Sequence, residues 1–125
     1  MKNIANNINE LVGICHTANI KAGWWSDIDT GESMIGKRNV NELLMLCVSE
    51  LAEAMEGRRK NLMDDHIPSR PMFDVELADC IIRICDLAGS EGVDLGGAIV
   101  EKLEYNRHRA DHKLENRLKA NGKRF

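Results

Sequence analysis

The segment from Phe73 to Ala88 constrains the fold more than any other stretch, because it is apolar almost all the way round a helix. At about 100° per residue, Glu76, Asp79, Arg83 and Asp86 fall within one stripe of roughly 80°. Phe73, Val75, Leu77, Ala78, Cys80, Ile81, Ile82, Ile84, Cys85, Leu87 and Ala88 cover nearly all the rest of the circumference. A helix of that kind belongs in the middle of a bundle, so its charged stripe is expected to line an internal cleft. Pro71 suits the first turn of this helix and Gly89 supplies a stop.

The other periodic segments are helical too. Ile4, Ile8, Leu11, Val12 and Cys15 recur at steps of three and four, which predicts a first helix over residues 3 to about 20. Gly23-Trp24-Trp25-Ser26-Asp27 breaks the pattern, and the Gly/Ser/Asp-rich stretch through Gly36 reads as a loop. A second helix opens at Asn39 or Asn41, either of which can cap it, and runs to about Gly57. Gly57 to Pro71 carries Arg58, Arg59, Lys60 and Arg70 with little periodicity and reads as a basic loop. Asp94 caps a fourth helix through Ile99, Val100, Leu103 and Tyr105, and beyond about residue 110 a charged, partly ordered tail is expected. No strand pattern or repeat interrupts this series. The expectation is one all-α domain spanning residues 1–125, a four-to-five-helix bundle.

Composition narrows the possible partners. With 43% hydrophobic residues the chain can build a core, and no apolar run approaches the ~20 residues a membrane span needs. The opening Met1-Lys2-Asn3-Ile4-Ala5-Asn6-Asn7 has no apolar block of the secretory kind, so a cytoplasmic protein is expected. Cys15, Cys47, Cys80 and Cys85 form no Cys-x-x-Cys pair, and His16, His66, His108 and His112 make no zinc pattern with them. They read as reduced core residues. Residues 101–125 carry eight Lys/Arg against four Asp/Glu, which leaves the remainder at −7 within a total of −3. The basic end has no aromatic interleaving, which argues for a small anionic ligand rather than nucleic acid.

Glu50 and Glu53 stand three apart on the second helix, at the edge of the apolar face of Leu43, Leu46 and Ala54. Four carboxylates, Glu50, Glu53, Glu76 and Asp79, sharing one cleft would repel one another and lose hydration. Either protons are retained or divalent cations sit among them. An all-oxygen ligand set favours a hard ion, Mg²⁺ with Mn²⁺ as a substitute. Arg83 is also placed to pair with Asp79 or Asp86 along its own helix.

The order Glu50-x-x-Glu53, basic loop, Glu76-x-x-Asp79 resembles the signature of the MazG-like family of all-alpha nucleoside triphosphate pyrophosphohydrolases. Ser49-Glu50-Leu51-Ala52-Glu53-Ala54-Met55-Glu56 and the run Glu76 to Ala88 look like that family's two core helices. Lys21-Ala22-Gly23-Trp24-Trp25 and Glu101-Lys102-Leu103-Glu104-Tyr105-Asn106 with Arg109 extend the likeness over nearly the whole chain. The resemblance implies that Glu50, Glu53, Glu76 and Asp79 hold Mg²⁺. It also implies that Lys102, Asn106 and Arg109 reach the phosphates or sugar; Glu50 and Glu53 are the candidates for catalysis, Glu53 to take the proton of a metal-activated water, and Trp25 is the candidate for stacking on the base. The reaction implied is hydrolysis of an NTP or dNTP to the monophosphate and pyrophosphate. A preference for dUTP or phosphoribosyl-ATP within the same superfamily stays open.

Two other classes compete. A ferritin-like iron bundle needs Glu-x-x-His, and no Glu here has His three residues later. A non-enzymatic helical interaction module would use its acidic stripes only as salt-bridge partners. So few residues in four helices leave the third helix hard to cover within one protomer, so a homo-dimer or homo-tetramer is expected to complete the bundle.

Overall fold

In a computed structural model describing Met1–Phe125, the chain is all-helical: α1 (Lys2–Lys21), α2 (Val40–Lys60), α3 (Met72–Glu91), α4 (Leu95–His108) and α5 (Leu114–Arg117). A 3-10 turn at Ala110–His112 precedes α5, and the only β features are two isolated bridges. The residues beyond 110 therefore hold regular turns where the sequence alone suggested a partly ordered tail. No helix is long and apolar enough to cross a membrane. Contacts divide the chain into two compact units, Glu10–Val93 and Met1–Asn9 with Asp94–Phe125.

The first unit is built on the α2–α3 hairpin. Gly57 lies against Met72 and Glu50 against Arg83, so numbers rise along one helix as they fall along the other. Cys47, Glu50, Ala54 and Gly57, spaced three, four and three, form the buried edge of α2, and α3 buries Glu76 and Cys80. On another side α3 buries Cys85, Asp86 and Ala88, while α1 buries Val12 and Cys15. Burial pushes the Cys15 and Cys85 thiols up, which keeps them protonated and unreactive. All four cysteines are buried and free, in line with reduced core residues.

Two helix ends differ from the sequence expectation, for one reason. Gly57 and Gly89 lie inside their helices because each lets a neighbour approach: a Cβ on Gly57 would come within 2.9 Å of Met72, and one on Gly89 within 2.6 Å of His16. The true stops are Asn61 (φ 54°) and Gly92 (φ 65°), left-handed residues whose N–H groups return to the last carbonyls of α2 and α3. Arg58, Arg59 and Lys60 consequently form the last turn of α2 instead of a loop. Asn39 caps α2, its side chain accepting from Asn41 N at 3.0 Å.

Rotating one residue along each helix from the α2–α3 contact reaches Leu44, Val48, Leu51 and Met55 on α2 and Ile81 and Ile84 on α3. In an antiparallel pair these two rotations lead to the same side of the hairpin. All six residues are exposed, between 40% and 57%. The third helix is thus not covered all round within one chain.

In the second unit Asp94 caps α4, its Oδ1 accepting from Gly97 N at 2.9 Å and from Asn9 Nδ2 at 2.7 Å. Gly96 N donates to Asn9 Oδ1 at 2.8 Å, and Gly96 sits so close to the Ala5 carbonyl that no side chain would fit.

Candidate metal centre

Glu76 and Asp79 lie one turn apart on α3 and meet Glu50 from α2, with one oxygen from each within 4.8 Å of the others. Glu50 and Glu76 are only 7% and 8% exposed. An octahedral Mg²⁺ holds neighbouring oxygens about 3 Å apart and opposite ones about 4.2 Å apart, so the three side chains would draw together by about an ångström or more to share one ion. Glu76 Oε2 is buried with no hydrogen-bond partner, an orphaned polar atom on one of the three clustered carboxyl groups. A donor set of carboxylates alone, one with an unpartnered buried oxygen, fits a hard divalent cation.

Electrostatics show how the cluster survives without one. Burial first, then the close-set Glu50 and Glu53 carboxylates, pushes the Glu76 carboxyl up to about 8. Asp79 is raised by burial and by the Glu50 charge, with Asp64 adding and Arg83 and His66 opposing. Burial works against ionised Glu50 as well. There the Arg83 guanidinium, donating from Nε to Oε1 at 2.6 Å, together with the neighbouring Glu76 and Glu53 carboxyl groups, outweighs burial and holds the carboxyl below its usual range. Arg83 thus pairs across the hairpin instead of along its own helix, because Asp86 is already occupied by other donors.

Those donors belong to a network around the buried Asp86 carboxylate, 7% exposed. Trp25 Nε1 donates to Oδ1 at 2.8 Å, Asn19 Nδ2 to Oδ2 at 2.7 Å, and His16 Nδ1 lies 2.8 Å from Oδ1. His16 meets Trp25 edge to face at 5.5 Å, and the Arg38 guanidinium stands over the indole at 5.1 Å. The loop after α1 presents Trp25 through a tight turn. Asp27 takes Thr30 N at 2.8 Å and Asp29 N at 3.0 Å on its side chain, and Met34 N donates to Trp25 O at 2.8 Å. Asp64 orders the α2–α3 connection by accepting from His66 N at 2.9 Å and Ile67 N at 2.7 Å.

Glu50, Asp79, Arg83 and Asp86 share a cavity of about 400 Å³ with Asn19, Trp24, Trp25, Arg38, Leu43, Leu46, Ile82 and Leu87. That volume suits a small organic ligand, and its wall combines aromatic, aliphatic and cationic groups.

Glu50, Glu76 and Asp79 are therefore brought together. Glu53 is exposed; it is near enough to raise Glu76 but stands outside the close set. The two acids of α2 do not share one environment, because a step of three turns Glu53 past the α3 contact. Trp25 is buried at 3% and lines the cavity, while Trp24 is 67% exposed. Lys102, Asn106 and Arg109 belong to the second unit. There Lys102 Nζ lies 4.7 Å from the Tyr105 ring centroid, Asn106 Oδ1 is buried without a partner, and Arg109 forms a fork on Asp111 at 2.9 and 2.6 Å. His16, Asn19 and Arg38 carry no signal in the sequence. The one hint was Asp86, an acid on the charged stripe of an apolar helix with no partner assigned to it. Comparison with protein-family models, with curated proteins and with solved structures returned no match to this chain.

Proposed function

We propose that the protein is a cytoplasmic, Mg²⁺-dependent nucleoside triphosphate pyrophosphohydrolase that releases a nucleoside monophosphate and pyrophosphate. The observation that carries the reading is the convergence of Glu50, Glu76 and Asp79, with Glu76 Oε2 buried and unpartnered, beside a cavity of about 400 Å³. The resemblance of the two core helices to the MazG-like family supports the same reaction.

A divalent cation at this centre, Mg²⁺ or Mn²⁺, would polarise a phosphate oxygen and acidify a water for in-line attack. Glu50, Glu76 and Asp79 hold it, and Glu53, exposed and one turn along α2, accepts the proton of the attacking water. Trp25, buried with its indole N–H locked on Asp86 and Arg38 over its ring, belongs to the wall of the cavity that would receive the base. Lys102, Asn106 and Arg109 take phosphate or sugar oxygens, as the resemblance implies. The same reading makes the protein a homo-dimer or homo-tetramer, with the exposed apolar side of the α2–α3 hairpin covered by a second copy.

The test is a panel of canonical and modified nucleoside triphosphates with Mg²⁺, assayed for monophosphate and pyrophosphate. Glu50→Gln and Asp79→Asn are expected to abolish turnover with helicity by circular dichroism unchanged. No product from any nucleotide would remove the proposed reaction, and full activity in both variants would remove the ligand assignment.

A further inference from the structure

The acidic cluster contains a cation of its own. Arg83 reaches across from α3 and spends its Nε on Glu50 Oε1, the carboxylate that α2 contributes to the putting together of the centre. The contact uses only one edge of the guanidinium, and neither Nη atom makes a hydrogen bond within the protein. The Arg83 side chain is 41% exposed against 10% for Glu50, and Arg83 lines the cavity beside Trp25 and Arg38. One end of this residue thus holds a ligand oxygen, and its other end is free at the wall of the space a substrate would enter.

Two positive groups cannot both sit on Glu50 at close range without repulsion. A divalent ion coordinated by Glu50 competes for the oxygen Arg83 occupies, or it settles on the second oxygen a few ångströms from the guanidinium. A side chain that is half in solvent and pivots at its own Cγ–Cδ bonds can leave without unpacking α3. Its planar fork matches phosphate oxygens better than any other side chain does.

We propose that Arg83 is the resident counter-cation of the metal-free centre: a divalent ion displaces it from Glu50, and the freed guanidinium then binds a phosphate oxygen of the substrate in the adjoining cavity. The second half rests on the pyrophosphohydrolase reading, while the first concerns the cation alone. Arg83 offsets Glu50 before loading and offsets phosphate charge afterwards.

The proposal predicts effects of opposite sign from one substitution. Removing the charge in Arg83→Gln should tighten Mn²⁺ binding, measured by titration calorimetry on the full chain, by about tenfold, because a partly screened like charge a few ångströms away is gone. With saturating Mn²⁺, a non-hydrolysable α,β-methylene nucleoside triphosphate should bind Arg83→Gln about tenfold or more weakly, the loss of one charged hydrogen bond. Arg83→Lys keeps the charge and loses the fork. It should bind Mn²⁺ within about twofold of wild type and the analogue more weakly. A purely structural role would weaken both ligands together.

Mn²⁺ bound no more tightly by Arg83→Gln than by wild type overturns the proposal, as does analogue affinity unchanged in that variant. If Arg83→Gln does not fold, a Lys variant that binds the analogue as wild type does overturns it equally. A wild-type protein that takes up no Mn²⁺ overturns the metal centre itself, which separates the two failures.

Discussion

Glu76→Gln tests the electrostatics of the centre without reference to any substrate. The Glu76 carboxyl is pushed up to about 8 from an ordinary 4.5, so the folded protein binds this proton more tightly than the unfolded chain does. A raised pKa gives stability that is fully present below the unfolded value and is lost as pH rises through the folded one. Between pH 5 and pH 8 the metal-free wild type should lose up to about 4 kcal/mol from this group, at about 1.4 kcal/mol per pH unit. Asp79, raised as well, adds in the same direction, whereas Glu50 is lowered and its contribution falls away only under acid conditions. Gln has nearly the same shape and cannot ionise, so the variant keeps what wild type loses. The assay is urea unfolding in chelator at pH 5 and pH 8, followed by circular dichroism. The stability gap between variant and wild type should swing in favour of Gln by several kcal/mol over that interval. Adding Mg²⁺ at pH 8 should restore wild type and leave Glu76→Gln unmoved, because cation binding replaces the retained proton. Stability curves for the two proteins that run parallel from pH 5 to pH 8 would refute the reasoning.

Trp25→Phe removes one of the donors to the buried Asp86 carboxylate and should destabilise the protein by about 1–3 kcal/mol in urea melts, with far-ultraviolet dichroism unchanged. A loss no greater than that of a surface substitution would mean that Asn19 and His16 satisfy Asp86 alone. The apolar side of the hairpin, Leu44, Val48, Leu51, Met55, Ile81 and Ile84, exposes on the order of 600 Å² of side chain, approaching the roughly 800 Å² per partner of a standard interface. Light scattering should therefore find a dimer or larger species at micromolar concentration, and Ile81→Glu should dissociate it; a monomeric wild type would refute this.

The helices were legible in the sequence because amphipathic periodicity is local: the spacing that makes a stripe on α3 also makes the α3 helix. The pairing of two of the clustered acids was legible for a related reason. Glu76 and Asp79 share a face by virtue of their separation alone, and acids on so apolar a helix have few places to point.

Which groups meet depends on contacts far apart in the chain, and only the tertiary structure decided those. Glu50 enters the cluster and Glu53 stays exposed because the α2–α3 contact line passes through one and not the other. Arg83 finds a partner 33 residues away, and Asp86 is held by Trp25 at a separation of 61. Gly57 and Gly89, which read locally as stops, lie within helices because Met72 and His16 pack where their side chains would be. Helix formation is governed by neighbours within a turn; burial and charge pairing are governed by whatever the fold brings into van der Waals contact.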